Sequence, residues 1–108
     1  MSDTLYAEEK LCEALDEIIA GKGSLRDRLW SAASYLIRLK SEDIPDRHRA
    51  AFAAVIDALT RYPAKRKGEG ALSASVRRLR KDELAAVART VMSIYVDMYC
   101  HNHAKDAT

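Results

Sequence analysis

Apolar residues recur along this chain at intervals of three and four, the spacing that places side chains on one face of an α-helix. The clearest stripe of this kind comprises Leu25, Leu29, Ala32, Leu36 and Leu39. No segment shows the sustained alternation of apolar and polar residues that is typical of a half-buried strand. Because the 108 residues include only four glycines and two prolines, few positions can interrupt regular structure. The sequence therefore predicts one all-α domain, an up-and-down bundle of four or five helices.

Capping residues, glycine and proline indicate where each helix begins and ends. Ser24 and Asp27 form a variant of the capping box, and Pro45 suits a first helical turn. Asp82 is a good N-cap, which favours two helices over a single helix across 73–101. We expect a mobile loop over about 63–71, a frayed tail over about 102–108, and helices over about 3–20, 25–40, 45–61, 73–79 and 82–101.

The apolar faces of these helices define an expected core and an expected interface. The core residues are Leu25, Leu29, Leu36, Phe52, Val55, Leu59, Leu84, Val87 and Val91. The second half of the last helix is apolar on nearly all sides, which is typical of a helix at the centre of a bundle or against a second subunit. We predict a homodimer with Tyr95, Met98 and Tyr99 at the interface, because aromatic residues and methionine are enriched in such contacts. Trp30 is a further candidate, and core packing is the alternative for all four side chains.

The net charge of +2 conceals a separation of charge along the chain. Residues 1–20 carry six acidic residues and one lysine, whereas residues 61–81 carry eight basic residues and one glutamate. The basic residues that form the candidate binding segment are Lys65, Arg66, Lys67, Arg77, Arg78, Arg80 and Lys81. A loop and a helix of like charge form the electrostatic footprint of a phosphate-binding surface.

Three interpretations of this basic segment remain open: an acidic protein partner, nucleic acid, or solvent alone. The acidic partner can be the first helix of the same chain, that of a second copy, or another protein. The connection of about ten residues between the third and fourth helices is too long for a helix-turn-helix motif. The chain has no glutamine and only one asparagine, Asn102, so it lacks side chains that read adenine. We therefore expect a self-associating interaction or regulatory module, with non-specific binding of nucleic-acid phosphates through 61–81 as the alternative.

The motifs that resemble catalytic or metal sites are incomplete. Cys100–His103 has a metal-binding composition, but on a helix His101 and His103 point about 200° apart and cannot share an ion. Gly21–Ser24 lacks the preceding strand and the glycine spacing of a phosphate loop, so it indicates a capped turn. No nucleophile has a recognisable base in a catalytic arrangement. We expect no enzyme activity, no catalytic residue, no metal site and no cofactor.

Cysteine usage and hydropathy indicate the compartment. Cys12 and Cys100 have neither CxxC nor zinc-finger spacing, which is typical of apolar thiols in a reducing compartment. No run approaches the ~18 apolar residues of a membrane helix, and the N-terminus lacks the features of a signal peptide. We expect a cytoplasmic protein that does not contact a membrane. The segment Ser24–Leu29, followed by an apolar helix and Ile44-Pro45, is similar to small bacterial helical proteins, and this resemblance implies no activity.

Overall fold

The computed structural model describes residues 4–64 and 70–104. These residues contain no strand and form five α-helices with one 3-10 turn. The helices are α1 (Thr4–Ala20), α2 (Leu25–Leu36), α3 (Asp46–Thr60), α4 (Ala71–Arg78) and α5 (Lys81–Asn102), and the 3-10 turn spans Ser41–Asp43. The prediction of an all-α bundle is confirmed. Of the predicted loop and tail, residues 65–69 and 105–108 lie outside the described residues.

The first two helices form an antiparallel hairpin. Near the short link between them, Arg28 Nη1 donates a 2.6 Å hydrogen bond to the Ile18 carbonyl. Towards the other ends of the same helices, Lys10 Nζ lies 6.0 Å from the centre of the Tyr35 ring. At the link, Ser24 accepts a hydrogen bond from the Asp27 backbone and donates its own backbone N–H to the Asp27 side chain, so the predicted capping box is confirmed.

α5 packs along both α1 and α3 and runs antiparallel to each of them. On the α1 side, His103 just beyond the end of α5 contacts Glu8 near the start of α1. On the α3 side, Arg61 just beyond the end of α3 contacts Glu83 in the first turn of α5. The four long helices therefore alternate in direction, as an up-and-down bundle requires.

The short helix α4 packs against α2 and α3, at the end of the bundle where α3 finishes and α5 begins. Its Ser75 is fully buried and accepts a 2.8 Å hydrogen bond from the Tyr62 backbone N–H. Since Tyr62 directly follows the C-cap of α3, this bond joins α4 to the end of that helix. Within the described residues no helix has the length and apolar composition needed to cross a bilayer.

Several predicted helix ends differ from the structure, and α4 begins at Ala71 instead of about residue 73. α2 ends at Leu36 instead of about residue 40, because the Leu39 N–H bonds the Leu36 carbonyl at 3.1 Å and turns the chain. Leu39 is still buried, so the apolar spacing continues beyond the helix itself. α5 begins at Lys81 with Arg80 as its N-cap, two residues before the predicted cap at Asp82.

Apolar side chains from all five helices form one buried cluster. Eight of the nine predicted core residues belong to it, and Leu25 packs against it while remaining partly exposed. The nine residues predicted at the centre of the core lie on α2, α3 and α5, and α1 adds Ala7, Leu11, Ala14, Leu15 and Ile18.

Candidate functional site

The predicted basic segment lies at the end of the bundle that α4 covers. Arg77 and Arg78 end α4, Arg80 lies in the link, and Lys81 begins α5. The Arg78 guanidinium lies 5.4 Å from the centre of the Tyr62 ring, a cation–π contact. The three other members of the predicted segment are outside the described residues: Lys65, Arg66 and Lys67.

Carboxylates interrupt this basic surface. The Arg61 guanidinium lies 2.8 Å from Glu83, and Arg80 Nε lies 3.4 Å from both the Asp82 and the Glu83 carboxylates. The Arg80 backbone N–H, followed by the Arg61 guanidinium, lowers the pKa of Glu83. The hydrogen bond to Glu83 raises the pKa of Arg61 in turn. Two guanidinium groups are therefore already paired, which reduces the positive charge available to a polyanion.

Arg26 on α2 holds the C-terminal end of α4. Its Nη1 lies 2.6 Å from the Val76 carbonyl, 3.1 Å from the Arg77 carbonyl and 2.7 Å from the Leu79 carbonyl. These carbonyls belong to the last turn and C-cap of α4, where helical partners are missing. Sequence reasoning missed this residue, because its partners are fifty or more positions away.

Trp30 lies on the same surface and is half exposed, at 52% of its full accessibility. Its Nε1–H donates a 2.9 Å hydrogen bond to Ser73 Oγ on α4. The indole forms one wall of an open cavity of about 210 Å³ between α2 and α4. The remaining lining residues are Arg26, Asp27, Ser73, Val76 and Arg77.

Of the three predicted interface residues, only Tyr99 faces outward. Met98 is 1% exposed and belongs to the core. The prediction that Met98 lies at the interface is therefore wrong, because its side chain packs within the protomer. Tyr95 is partly buried, and its side chain lies beside that of Cys12. The interaction with Cys12, together with burial, raises the pKa of Tyr95 to about 12. Tyr99 is exposed and stacks on the His103 ring with a centroid distance of 4.3 Å.

Exposed apolar side chains concentrate on the outer surface that α1 and α5 share. On α1, Leu5, Cys12 and Ile19 are exposed and recur every seven residues, so they form one stripe. On α5 the exposed residues Met92, Val96 and Tyr99 recur at intervals of four and three. The contact between Cys12 and Tyr95 brings the two stripes together, because Tyr95 precedes Tyr99 by one turn.

We call these six residues the α1/α5 face. It contains five of the eight exposed large apolar side chains of the described residues, and each of the five is 47–67% exposed. The remaining three are scattered on α1, on α2 and just after α2: Tyr6, Trp30 and Ile37. Of this face, the sequence analysis placed only Tyr99 at an interface. The second half of α5 is apolar on nearly all sides, so its spacing does not distinguish the outward Met92 and Val96 from the buried Met98.

Two carboxylates pair with histidines at the other end of the bundle. Glu8 lies 3.1 Å from His103 Nε2. Asp97 lies 2.6 Å from His48 Nε2 and 2.8 Å from Arg47, and these two neighbours lower the pKa of Asp97, with His48 the larger cause. Each cluster offers one carboxylate and one imidazole, and residues 4–64 and 70–104 contain no group of three or more side chains that could hold a metal ion.

Comparison of the chain with models of protein families, with curated protein sequences and with solved structures finds no match. Two surfaces of the molecule therefore bear on its function, the α1/α5 face and the surface around Trp30.

Proposed function

We propose that this chain is a small, non-enzymatic interaction module of the cytoplasm that forms a homodimer through the α1/α5 face. The concentration of exposed apolar side chains on that one face is the observation that carries the proposal. Contiguous apolar surface on a small domain favours a covered state, because water makes its exposure unfavourable. Both cysteines are free thiols, which is consistent with a reducing compartment.

The size of the face suits a second copy of the chain. Five side chains exposed to about half their accessible area offer on the order of 500 Å² of apolar surface. An interface of standard size buries about 800 Å² per partner, and homodimer interfaces are roughly 65% apolar. The face therefore supplies the apolar share of an interface of standard size.

The residue order on α5 is also self-complementary. In a two-fold symmetric dimer, a contact from one residue to another is repeated with the roles of the subunits exchanged. Suppose that two α5 helices cross antiparallel and that the two-fold axis passes at the level of Ile94. Met92 then lies opposite Val96 of the partner subunit. The same register places Arg89 opposite the partner's Tyr99, where a guanidinium and an aromatic ring attract each other.

Arg89 is available for that contact. It is exposed at the edge of a shallow groove on α5 that Met92 and Val96 also line. Within residues 4–64 and 70–104 it forms no ion pair. In the proposed dimer its charge gains an aromatic partner at the rim, the position where interfaces tolerate charge.

The test replaces Met92 and Val96 together by glutamate and measures the mass in solution by light scattering. We expect the wild-type chain to show about twice its 12.1 kDa mass and the double variant to show the monomer mass with unchanged helicity. Burying four carboxylates without partners in the two-fold interface opposes association.

Ile37→Glu is the matched control, because Ile37 has a similar exposure but lies outside the face. It should leave the mass at the dimer value. A wild-type chain that is monomeric at high micromolar concentration, or a double variant that is still dimeric, would contradict the proposal.

A further inference from the structure

The apolar stripe of α1 has the same symmetry as the proposed contact between two α5 helices. Leu5, Cys12 and Ile19 are exposed and recur every seven residues, so Cys12 lies midway between the two apolar ends. In an antiparallel pair of identical helices, the two-fold axis passes level with the middle of the contacting stripe. An axis level with Cys12 therefore places Leu5 opposite Ile19 of the partner subunit.

A contact between α1 and α5 brings this axis to the level that the α5 register requires. The Cys12 side chain lies beside that of Tyr95. Tyr95 directly follows Ile94, the level of the axis between the α5 helices, and one residue is a rise of about 1.5 Å along a helix. The stripes of α1 and α5 are therefore centred at nearly the same height, so one axis can serve both.

The direction of that axis also suits α1. A two-fold axis that sets two α5 helices antiparallel lies in the interface and runs across the helices. The same rotation reverses α1 and places it against its own copy, since α1 packs alongside α5. Because Cys12 borders α5, its stripe lines the groove between the two helices. Two such grooves then face each other and enclose a shared apolar core between four helices.

The acidic residues of α1 lie beside the stripe, at the edge of the face. Glu8 contacts His103 just beyond the end of α5, so that side of the stripe faces α5. The exposed Glu9 and Asp16 lie on the opposite side of the stripe, away from α5. In the dimer they come to the rim between the two α1 helices, where water and salt screen like charges. The apolar residues therefore set the register.

We propose that the two α1 helices of the dimer pack antiparallel across the two-fold axis, with Leu5 against Ile19 of the partner subunit and Cys12 against its own copy. This inference rests on the dimer proposed above and assigns the position of its axis. A single second copy then covers both stripes of the α1/α5 face. The two Cys12 thiols meet at the axis, within reach of a disulfide, which spans about 4–7 Å between Cα atoms.

The experiment oxidises the whole chain with diamide, a diazene, and separates the products on a non-reducing gel. Two thiols give two electrons and two protons to the diazene, which becomes a hydrazine as the S–S bond forms. We expect a covalent species of twice 12.1 kDa for the wild-type chain and for Cys100→Ser. Cys12→Ser should lose this species, and dithiothreitol should return it to the monomer.

Cys100 is the matched control, because it is an exposed free thiol on α5. It lies six residues beyond Ile94, so the two copies of Cys100 are about 18 Å apart along the helices. Ile19→Cys, combined with Cys12→Ser and Cys100→Ser, tests the direction of α1. Antiparallel packing separates the two copies of this position by about 21 Å, so the triple variant should give no covalent species.

Light scattering of the unoxidised chain separates this inference from the proposed function. A dimer mass without a Cys12 disulfide means that α1 packs differently while the dimer itself stands. A link through Cys100, or through Ile19→Cys in the triple variant, likewise overturns the arrangement of α1. A monomer mass overturns both the dimer and the arrangement.

Discussion

Arg26 shows how one side chain can determine the position of a whole helix. Its guanidinium satisfies carbonyls at the end of α4 that have no helical partner. Such bonds add more to stability than neutral hydrogen bonds, because the donor is charged. α4 has eight residues, too few to be stable as an isolated helix, so it depends on contacts of this kind.

Arg26→Ala should therefore destabilise the chain by roughly 1–3 kcal/mol, the range for losing hydrogen bonds from a charged donor. Urea unfolding followed by circular dichroism measures this difference. Arg38→Ala is the control, since Arg38 is exposed and lies just beyond α2. Equal stability of the two variants would show that the carbonyls are equally well satisfied by water.

At this scale the sequence predicts local contacts well and distant ones poorly. The capping box of Ser24 and Asp27 involves residues three apart, so its geometry follows from the order of residues alone. The hydrogen bonds from Arg26 join α2 to α4, and no period or motif in the sequence predicts them. The burial of Met98 was missed for a different reason: an almost wholly apolar helix gives no contrast between its inner and outer sides.

At the scale of the elements, polar contacts near both ends join α3 to α5. Near the start of α3, Arg47 and His48 contact Asp97, and just beyond its end Arg61 contacts Glu83. The intervening surface is lined by small side chains, including Ala54 and Ala58 of α3 and Ala86 of α5. The polar contacts therefore fix the register of α3 against α5, where small side chains provide little apolar contact.

The contacts of Asp97 should make stability depend on pH. The neighbours of Asp97 hold its folded-state pKa below the unfolded value of about 3.9. The group therefore stabilises the fold above about pH 4, and this contribution is lost as the pH falls through the folded-state pKa. Glu83, whose pKa is also lowered, acts in the same direction.

Asp97→Asn should lower the urea midpoint at pH 7, and the difference from the wild-type chain should shrink as the pH falls below about 4. Asp16→Asn, which changes an exposed carboxylate on α1, is the control and should leave the urea midpoint at pH 7 at the wild-type value. A difference that is the same at pH 7 and at pH 3 would contradict the assigned cause.

The existence of each helix followed from the apolar period, whereas several helix ends did not. Leu39 continues the apolar stripe of α2 and is buried, yet it lies beyond the helix because the chain has already turned. Apolar residues at intervals of three and four indicate which side chains are buried. Because a turn can also bury a side chain, this spacing does not show where a helix ends.

At the scale of the whole molecule, the run of basic residues is less positive in space than in sequence. Asp57 precedes the basic segment in the sequence, but one helical turn brings its carboxylate within 3.7 Å of the Arg61 guanidinium. The antiparallel packing of α5 against α3 likewise brings Glu83 to Arg61. Charge patterns along a sequence predict a surface only when neighbouring helices do not supply counter-charges.

Duplex DNA should accordingly bind weakly. We expect a dissociation constant no tighter than about 10⁻⁴ M at physiological salt, the weak end of non-specific binding, with a shallow salt dependence. Anisotropy of a labelled duplex across a salt series measures both quantities. Tight binding with a salt slope of several units, lost when Arg77, Arg80 and Lys81 are changed to glutamate, would favour the nucleic-acid alternative instead.

The way α4 is attached also makes the stability of the chain uneven. The hydrogen bonds that join it to the rest of the bundle include those of Arg26, Trp30 and Ser75, while the long helices share the larger apolar core. A short element held in this way can detach as a separate cooperative unit, at a lower free energy than unfolding of the whole domain. The emission of the single tryptophan would register that detachment first, so this chain contains its own reporter of partial opening.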